Sequence, residues 1–129
     1  MKFVPNILDK RINEHVKSFR FPSRMYHIAP SNVLPSIKKR GLRKGALGVY
    51  LTSDIHEILK QDDIFSRDNN FFKLTVNTKG LPLRFDPEFY TDYSSTNEVV
   101  KTIKNDETAI YCYAPMDIPK ERILKVEKL

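Results

Sequence analysis

The stretch Arg24-Met25-Tyr26-His27-Ile28-Ala29, continued by PSNVLPSIKKRGL to Leu42 and taken up again at Gly48-Val49-Tyr50-Leu51-Thr52-Ser53, decides the reading of this chain. Its first six residues alternate, with Met25, His27 and Ala29 on one side and Tyr26 and Ile28 on the other, as a half-buried strand does. Ser31 stands where an N-cap belongs, and Val33, Leu34 and Ile37 supply the apolar face of a helix. Pro35 falls near its first turn, where a missing amide is tolerated, and Gly41 is placed to stop it. A loop from Gly41 to Gly48 then leads into a second strand, Val49 to Thr52. Asp54-x-x-Glu57 reads as a capping box opening a helix through Leu59.

Outward from this unit the pattern continues. Residues 5–19 carry Leu8, Ile12, Val16 and Phe19 at helical spacing, so the chain is read as one domain, 1–129, with an N-terminal helix within 1–22 packed on it. Residues 62–70 read as a polar loop. Phe71 to Val76 and Leu81 to Phe85 read as strands, and Ser95-x-x-Glu98 caps a helix bearing Val99, Val100 and Ile103. Thr108 to Tyr113 and Ile123 to Val126 are the closing strands. Strands crowd the second half, so the expected class is α+β, not a doubly wound sheet.

The 129 residues suit one core. No apolar run is long enough for a membrane helix, and charge interrupts the opening segment, which excludes a signal peptide. The expectation is a cytoplasmic monomer with no membrane association. A single cysteine, Cys112, removes any internal disulfide and reads as a small buried hydrophobe between Tyr111 and Tyr113. Lys and Arg number 22 against 16 Asp and Glu, a net charge of +6, which favours a polyanionic partner or a solubilised surface. The densest basic stretch is Lys38, Lys39, Arg40, Arg43 and Lys44. No GxGxxG, GxxxxGK[ST], GxSxG or HExxH occurs, so those dinucleotide, P-loop, hydrolase and zinc signatures are missing, and no metal is expected.

RMYHIAPSNVLPSIKKRGL followed by GVYLTS resembles the NAD-binding half of the ADP-ribosyltransferase superfamily, in its His-Tyr-Glu branch. The rhythm Tyr26-His27, Asn32 to Ile37, Gly41-Leu42 is similar to DNA-thymidine-modifying toxins of the DarT type. NDETAIYCYAPMDIPKERILKV, residues 105–126, is similar to the third motif of the superfamily, in which a glutamate begins a strand. The resemblance spans residues 24–126. It implies a split antiparallel sheet with flanking helices that binds NAD as co-substrate and modifies a macromolecule, nucleic acid somewhat favoured over protein. A prokaryotic or phage toxin or effector is the implied setting.

The resemblance also implies roles. His27 holds the ribose hydroxyl and adenosine side of NAD, Tyr50 stacks on nicotinamide, and Glu107 faces the positive charge that develops as nicotinamide leaves. Ile28, Ala29, Asn32, Gly41, Thr52 and Ser53 complete the expected cofactor contacts. Each also has a plainer reading, such as a strand histidine, a core tyrosine, a strand-end charge, or Ser53 as a helix cap. Tyr90 and Tyr93 are candidates to touch the acceptor, or simply to pack their turn. Asn105 stands two positions before Glu107, where a Gln or Glu marks transferases for arginine, which weakens an arginine target. Two alternatives remain. One is an RNA 2′-phosphotransferase, which this chain resembles less well because that family carries a histidine where Tyr50 stands. The other is a catalytically silent nucleotide- or polyanion-binding module.

Overall fold

The computed structural model describes residues 12–13, 19–61 and 70–129. The helix expected over 5–19 lies outside these apart from Ile12, Asn13 and Phe19; the first two are helical. So does most of the loop expected at 62–70. The described chain runs β1 (Arg24–Pro30), a 3-10 turn (Ser31–Val33), α1 (Leu34–Arg40), β2 (Val49–Thr52), α2 (His56–Gln61), β3 (Phe71–Asn77), β4 (Arg84–Phe85), α3 (Thr96–Lys104), β5 (Tyr111–Ala114), a 3-10 turn (Lys120–Arg122) and β6 (Ile123–Lys128). The strands form one antiparallel sheet in the order β4-β5-β2-β1-β3-β6. The class is α+β.

One sheet face is the core. Met25, Ala29, Val49, Leu51, Leu74, Val76, Phe85, Cys112 and Ala114 all lie on it and are buried, joined by Leu34 and Ile37 of α1 and Val99 of α3. Ile12 is buried in the same cluster. Asn13 pairs with the β4 edge through both ends of its amide, donating to the Phe85 carbonyl at 3.1 Å and accepting from its N–H at 2.7 Å. That satisfies an edge-strand backbone that no neighbouring strand covers.

Two glycines let backbones approach where no side chain fits. At Gly41 φ is +80°, and a Cβ would sit 2.3 Å from the Ile118 carbonyl oxygen. At Gly48 a Cβ would sit 2.0 Å from that of Ala114, so β2 begins pressed against β5. β2 pairs with β5 along all four residues, Val49 opposite Ala114 through Thr52 opposite Tyr111. Toward β1 it makes one pair, Tyr26 opposite Thr52, and the two strands then part. β1 instead pairs with β3 along its whole length.

Several expected boundaries shift. Ser31 makes no side-chain cap, and a 3-10 turn leads into α1 with Pro35 in its first turn. The strand expected at Leu81–Phe85 shortens to two residues, because the Leu81 and Leu83 amides bond within the turn, to the Thr78 and Leu81 carbonyls. Asp54 caps α2 by accepting from His56 N at 2.9 Å, but Glu57 turns elsewhere and the capping box stays half-made. Ser95 does cap α3, accepting from Glu98 N, while the Glu98 carboxylate reaches back to Ser94.

The largest shift falls before β5. Glu107 opens no strand. It closes α3 in a Schellman motif, its N–H bonding the Thr102 carbonyl and that of Asp106 the Ile103 carbonyl. Asp106 takes the left-handed conformation at φ 56°. The ladder to β2 begins only at Tyr111, since the Ala109 and Ile110 amides donate to the side chains of Glu57 and Ser53.

Candidate functional site

The site forms where β1 and β2 part. His27 is half-buried, and its Nδ1 lies 2.7 Å from the Tyr50 carbonyl oxygen, spanning the gap with a side chain where a ladder hydrogen bond would otherwise lie. A carbonyl oxygen only accepts, so Nδ1 carries the proton and donates. Burial pulls the imidazole pKa below the ordinary histidine value, with the Tyr50 carbonyl acting in the opposite direction. The ring is therefore neutral at physiological pH, and its Nε2 is an acceptor.

Beside this imidazole opens a hollow of about 230 Å³. Tyr26, Ile28, Tyr50, Thr52, Ile58 and Tyr111 form most of its wall, and the wall is predominantly apolar. Tyr50 is 38% exposed at its rim, and burial together with the negative charges of Asp86 and Glu88 raises its phenol pKa. Phe89, 42% exposed, stacks on Tyr111 with ring centroids 4.0 Å apart and planes 6° from parallel. The Tyr111 hydroxyl donates to Glu57 Oε2, which also accepts from Ala109 N at 3.4 Å. That is where the expected capping glutamate of α2 goes. It braces the aromatic wall.

One acidic residue lines this hollow among the described residues. It is Asp86, which follows β4, is 1% exposed, and is bonded through its backbone N–H to the Tyr111 carbonyl at 2.9 Å. Its Oδ1 accepts from Glu88 N at 2.9 Å, and Phe89 N is a second backbone donor. Burial pushes its pKa up to about 6 against those hydrogen bonds, with the Glu88 charge adding to the rise.

His27 also lines a second hollow of about 210 Å³, with Val33, Ser36, Ile37, Gly41, Leu42 and Arg43. The imidazole is thus a wall shared by two cavities. Arg43 pairs with Asp117 at 3.4 Å and remains largely exposed.

Of the residues singled out in the sequence, His27, Ile28, Tyr50 and Thr52 line the first hollow, and Gly41 and His27 the second. Thr52 is buried and its hydroxyl bonds the Asp54 backbone, shaping the exit from β2. Ala29 is in the core, 1% exposed, and Asn32 is exposed and lines neither hollow. Ser53 ties β2 to the approach of β5, accepting from Ile110 N at 2.8 Å, and also lies outside the hollow. Glu107 is exposed and the structure does not bring it together with His27 and Tyr50. Tyr90 is buried, its hydroxyl donating to the Ala109 carbonyl and accepting from Tyr111 N, so it packs the turn. Tyr93 packs edge-on against it. Cys112 is fully buried, and burial raises its thiol pKa.

Sequence reading passed over Asp86, Phe89 and Tyr111 as site residues. The available signal was Asp86-Pro87 directly after an apolar strand end, an acidic residue where the sheet face continues. Among the described residues no helix is long and apolar enough to cross a membrane. No protein-family model matches the chain, and neither does any curated protein.

Proposed function

We propose that this chain binds NAD across His27 and transfers its ADP-ribose to a macromolecular acceptor, with nucleic acid the favoured class. On this reading the sheet, parting between β1 and β2, is the split sheet of the ADP-ribosyltransferase superfamily. The observation that carries the reading is the imidazole shared by two hollows. A dinucleotide has two flat ring systems joined by a bent polar linker, and a pair of cavities on either side of one hydrogen-bonding ring suits its two ends.

The nicotinamide ring takes the aromatic hollow, against Tyr50. Its pyridinium charge is complemented by the π-faces there and by the Asp86 carboxylate. His27 Nε2 accepts from a ribose hydroxyl, with the ring held in one tautomer by Tyr50. The adenosine side lies by Val33, Ser36 and Arg43. The net charge of +6 and the exposed Lys38, Lys39 and Arg40 supply the attraction for a nucleic-acid acceptor.

The test is incubation with NAD labelled in the adenylate, together with single-stranded DNA, single-stranded RNA or a protein mixture. Label on nucleic acid is the expected result. His27→Ala should weaken NAD binding about 10-fold, as loss of one well-placed hydrogen bond does; unchanged affinity by calorimetry removes His27 from the site. A second reading, a silent NAD-binding module, is favoured by the position of Glu107 outside the hollow. Its signature is NAD bound and returned intact.

A further inference from the structure

We propose that Asp86, in the wall of the aromatic hollow, is the catalytic carboxylate of this chain, in place of the glutamate that the closing motif suggested. The inference rests on the NAD reading above and adds the residue that does the chemistry.

The geometry narrows the choice. Glu107 closes α3 and is exposed. Glu57 is engaged by the Tyr111 hydroxyl and the Ala109 amide, and it borders a separate polar hollow with Ser53, Asp54 and Asp106. Asp86 is the described carboxylate that lines the cavity of His27 and Tyr50. It is 1% exposed, and burial is the largest cause of its raised pKa. Its hydrogen bonds come from the backbone of its own turn, through Glu88 N and Phe89 N. Burial disfavours the charged form of such a carboxylate, and a cationic ligand in the same hollow stabilises it.

The step balances as follows. The bond between ribose C1′ and the pyridinium nitrogen breaks, its electron pair leaving with nicotinamide, which departs neutral. The positive charge, now shared by C1′ and the ring oxygen, faces the Asp86 carboxylate. A hydroxyl, amine or amide of the acceptor, or water, bonds to C1′ and its proton passes to Asp86 and then to solvent. A carboxyl pushed up to about 6 is ionised above neutrality yet basic enough to take that proton. Among the described residues, Tyr50 of β2, Cys112 of β5, and Glu88 and Tyr90 of its own turn interact with it electrostatically, and Tyr111 and His27 line the same hollow.

The experiment measures nicotinamide release from NAD by the full chain, with and without single-stranded nucleic acid, for wild type, Asp86→Asn and Glu107→Gln. Asn keeps the Oδ1 acceptor for the turn and removes the charge. The expected result is a fall in kcat of about 100-fold for Asp86→Asn with KM within a few-fold, and no change for Glu107→Gln. Wild type should also lose rate below about pH 6. An Asp86→Asn rate within 3-fold of wild type overturns the assignment. Binding gives an independent arm that needs no variant: wild type should hold NAD, with its cationic ring, about 10-fold more tightly than NADH, whose ring is neutral. Equal affinity overturns the assignment while leaving the NAD site standing. Failure to bind NAD overturns the reading of the site itself, and this assignment with it.

Discussion

His27 and Asp86 both owe their character to burial, with opposite results. Loss of solvent keeps the imidazole neutral and moves the carboxyl up to about 6. For Asp86 the linkage has a definite sign. Its native pKa lies above the ordinary unfolded value, so between about pH 4 and pH 6 the native state holds a proton that the unfolded chain has lost. Its contribution is therefore most favourable below about pH 4, declines as pH rises to about 6, and is then constant. Asp86→Asn removes that burden. The variant should be more stable than wild type by on the order of 2–3 kcal/mol at pH 7.5, with the difference closing near pH 4. Chemical denaturation at the two pH values measures it, and a pH-independent difference shows that the carboxyl ionises freely in the native state. At the same scale, His27 and Tyr50 were singled out by the family resemblance, and alternation over residues 24–29 placed His27 in a strand. Asp86 was not, because its one local cue, an acidic residue after the apolar end of β4, says nothing of a cavity lined by three other strands.

Among the elements, α3 shows where sequence periodicity stops being informative. Val99, Val100 and Ile103 mark the helix, and Ala109, Tyr111 and Tyr113 mark a strand, but the residues between fit either a strand start or a helix end. The path of the chain there is set by its amides: those of Asp106 and Glu107 close the helix on Ile103 and Thr102, and those of Ala109 and Ile110 are taken by the side chains of Glu57 and Ser53. Glu107 is carried to the surface as a result. The Schellman motif demands a left-handed residue, usually glycine, and Asp106 fills it at φ 56°. Asp106→Gly relieves that conformation and should stabilise the fold by about 0.5–1 kcal/mol, a rise of a few degrees in Tm. A fall in Tm would mean that the Asp106 side chain itself supports the turn. The same logic made Gly41 legible, since a helix followed by Gly-Leu reads as a C-terminal stop, although its close approach to Ile118 does not show in the local sequence.

At the scale of the molecule, alternation and helix signals were enough for the α+β class and most strand positions. Strand order was not among the expectations, because pairing partners are chosen by long-range packing. The net charge of +6 belongs to this scale too. If the acceptor is nucleic acid, its use should weaken steeply with salt, while nicotinamide release into water changes little. Replacing Lys38, Lys39 and Arg40 together with Glu should depress transfer to nucleic acid about 10-fold or more at low salt and leave release without acceptor unchanged. Equal transfer by the variant places the acceptor on another face.

The meeting of β1 and β2 leaves the six strands as two ribbons of three that share a core but whose backbones, among the described residues, meet in one pair, at Tyr26 and Thr52, with the His27 imidazole beside it. Such a seam is where a sheet yields first, and any guest lodged there doubles as the thread. Amide exchange should reveal it. On occupancy, β1 and β2 should slow by a larger factor than β6 at the far margin, so that the grip on the dinucleotide and the cohesion of the fold are read from the same protons.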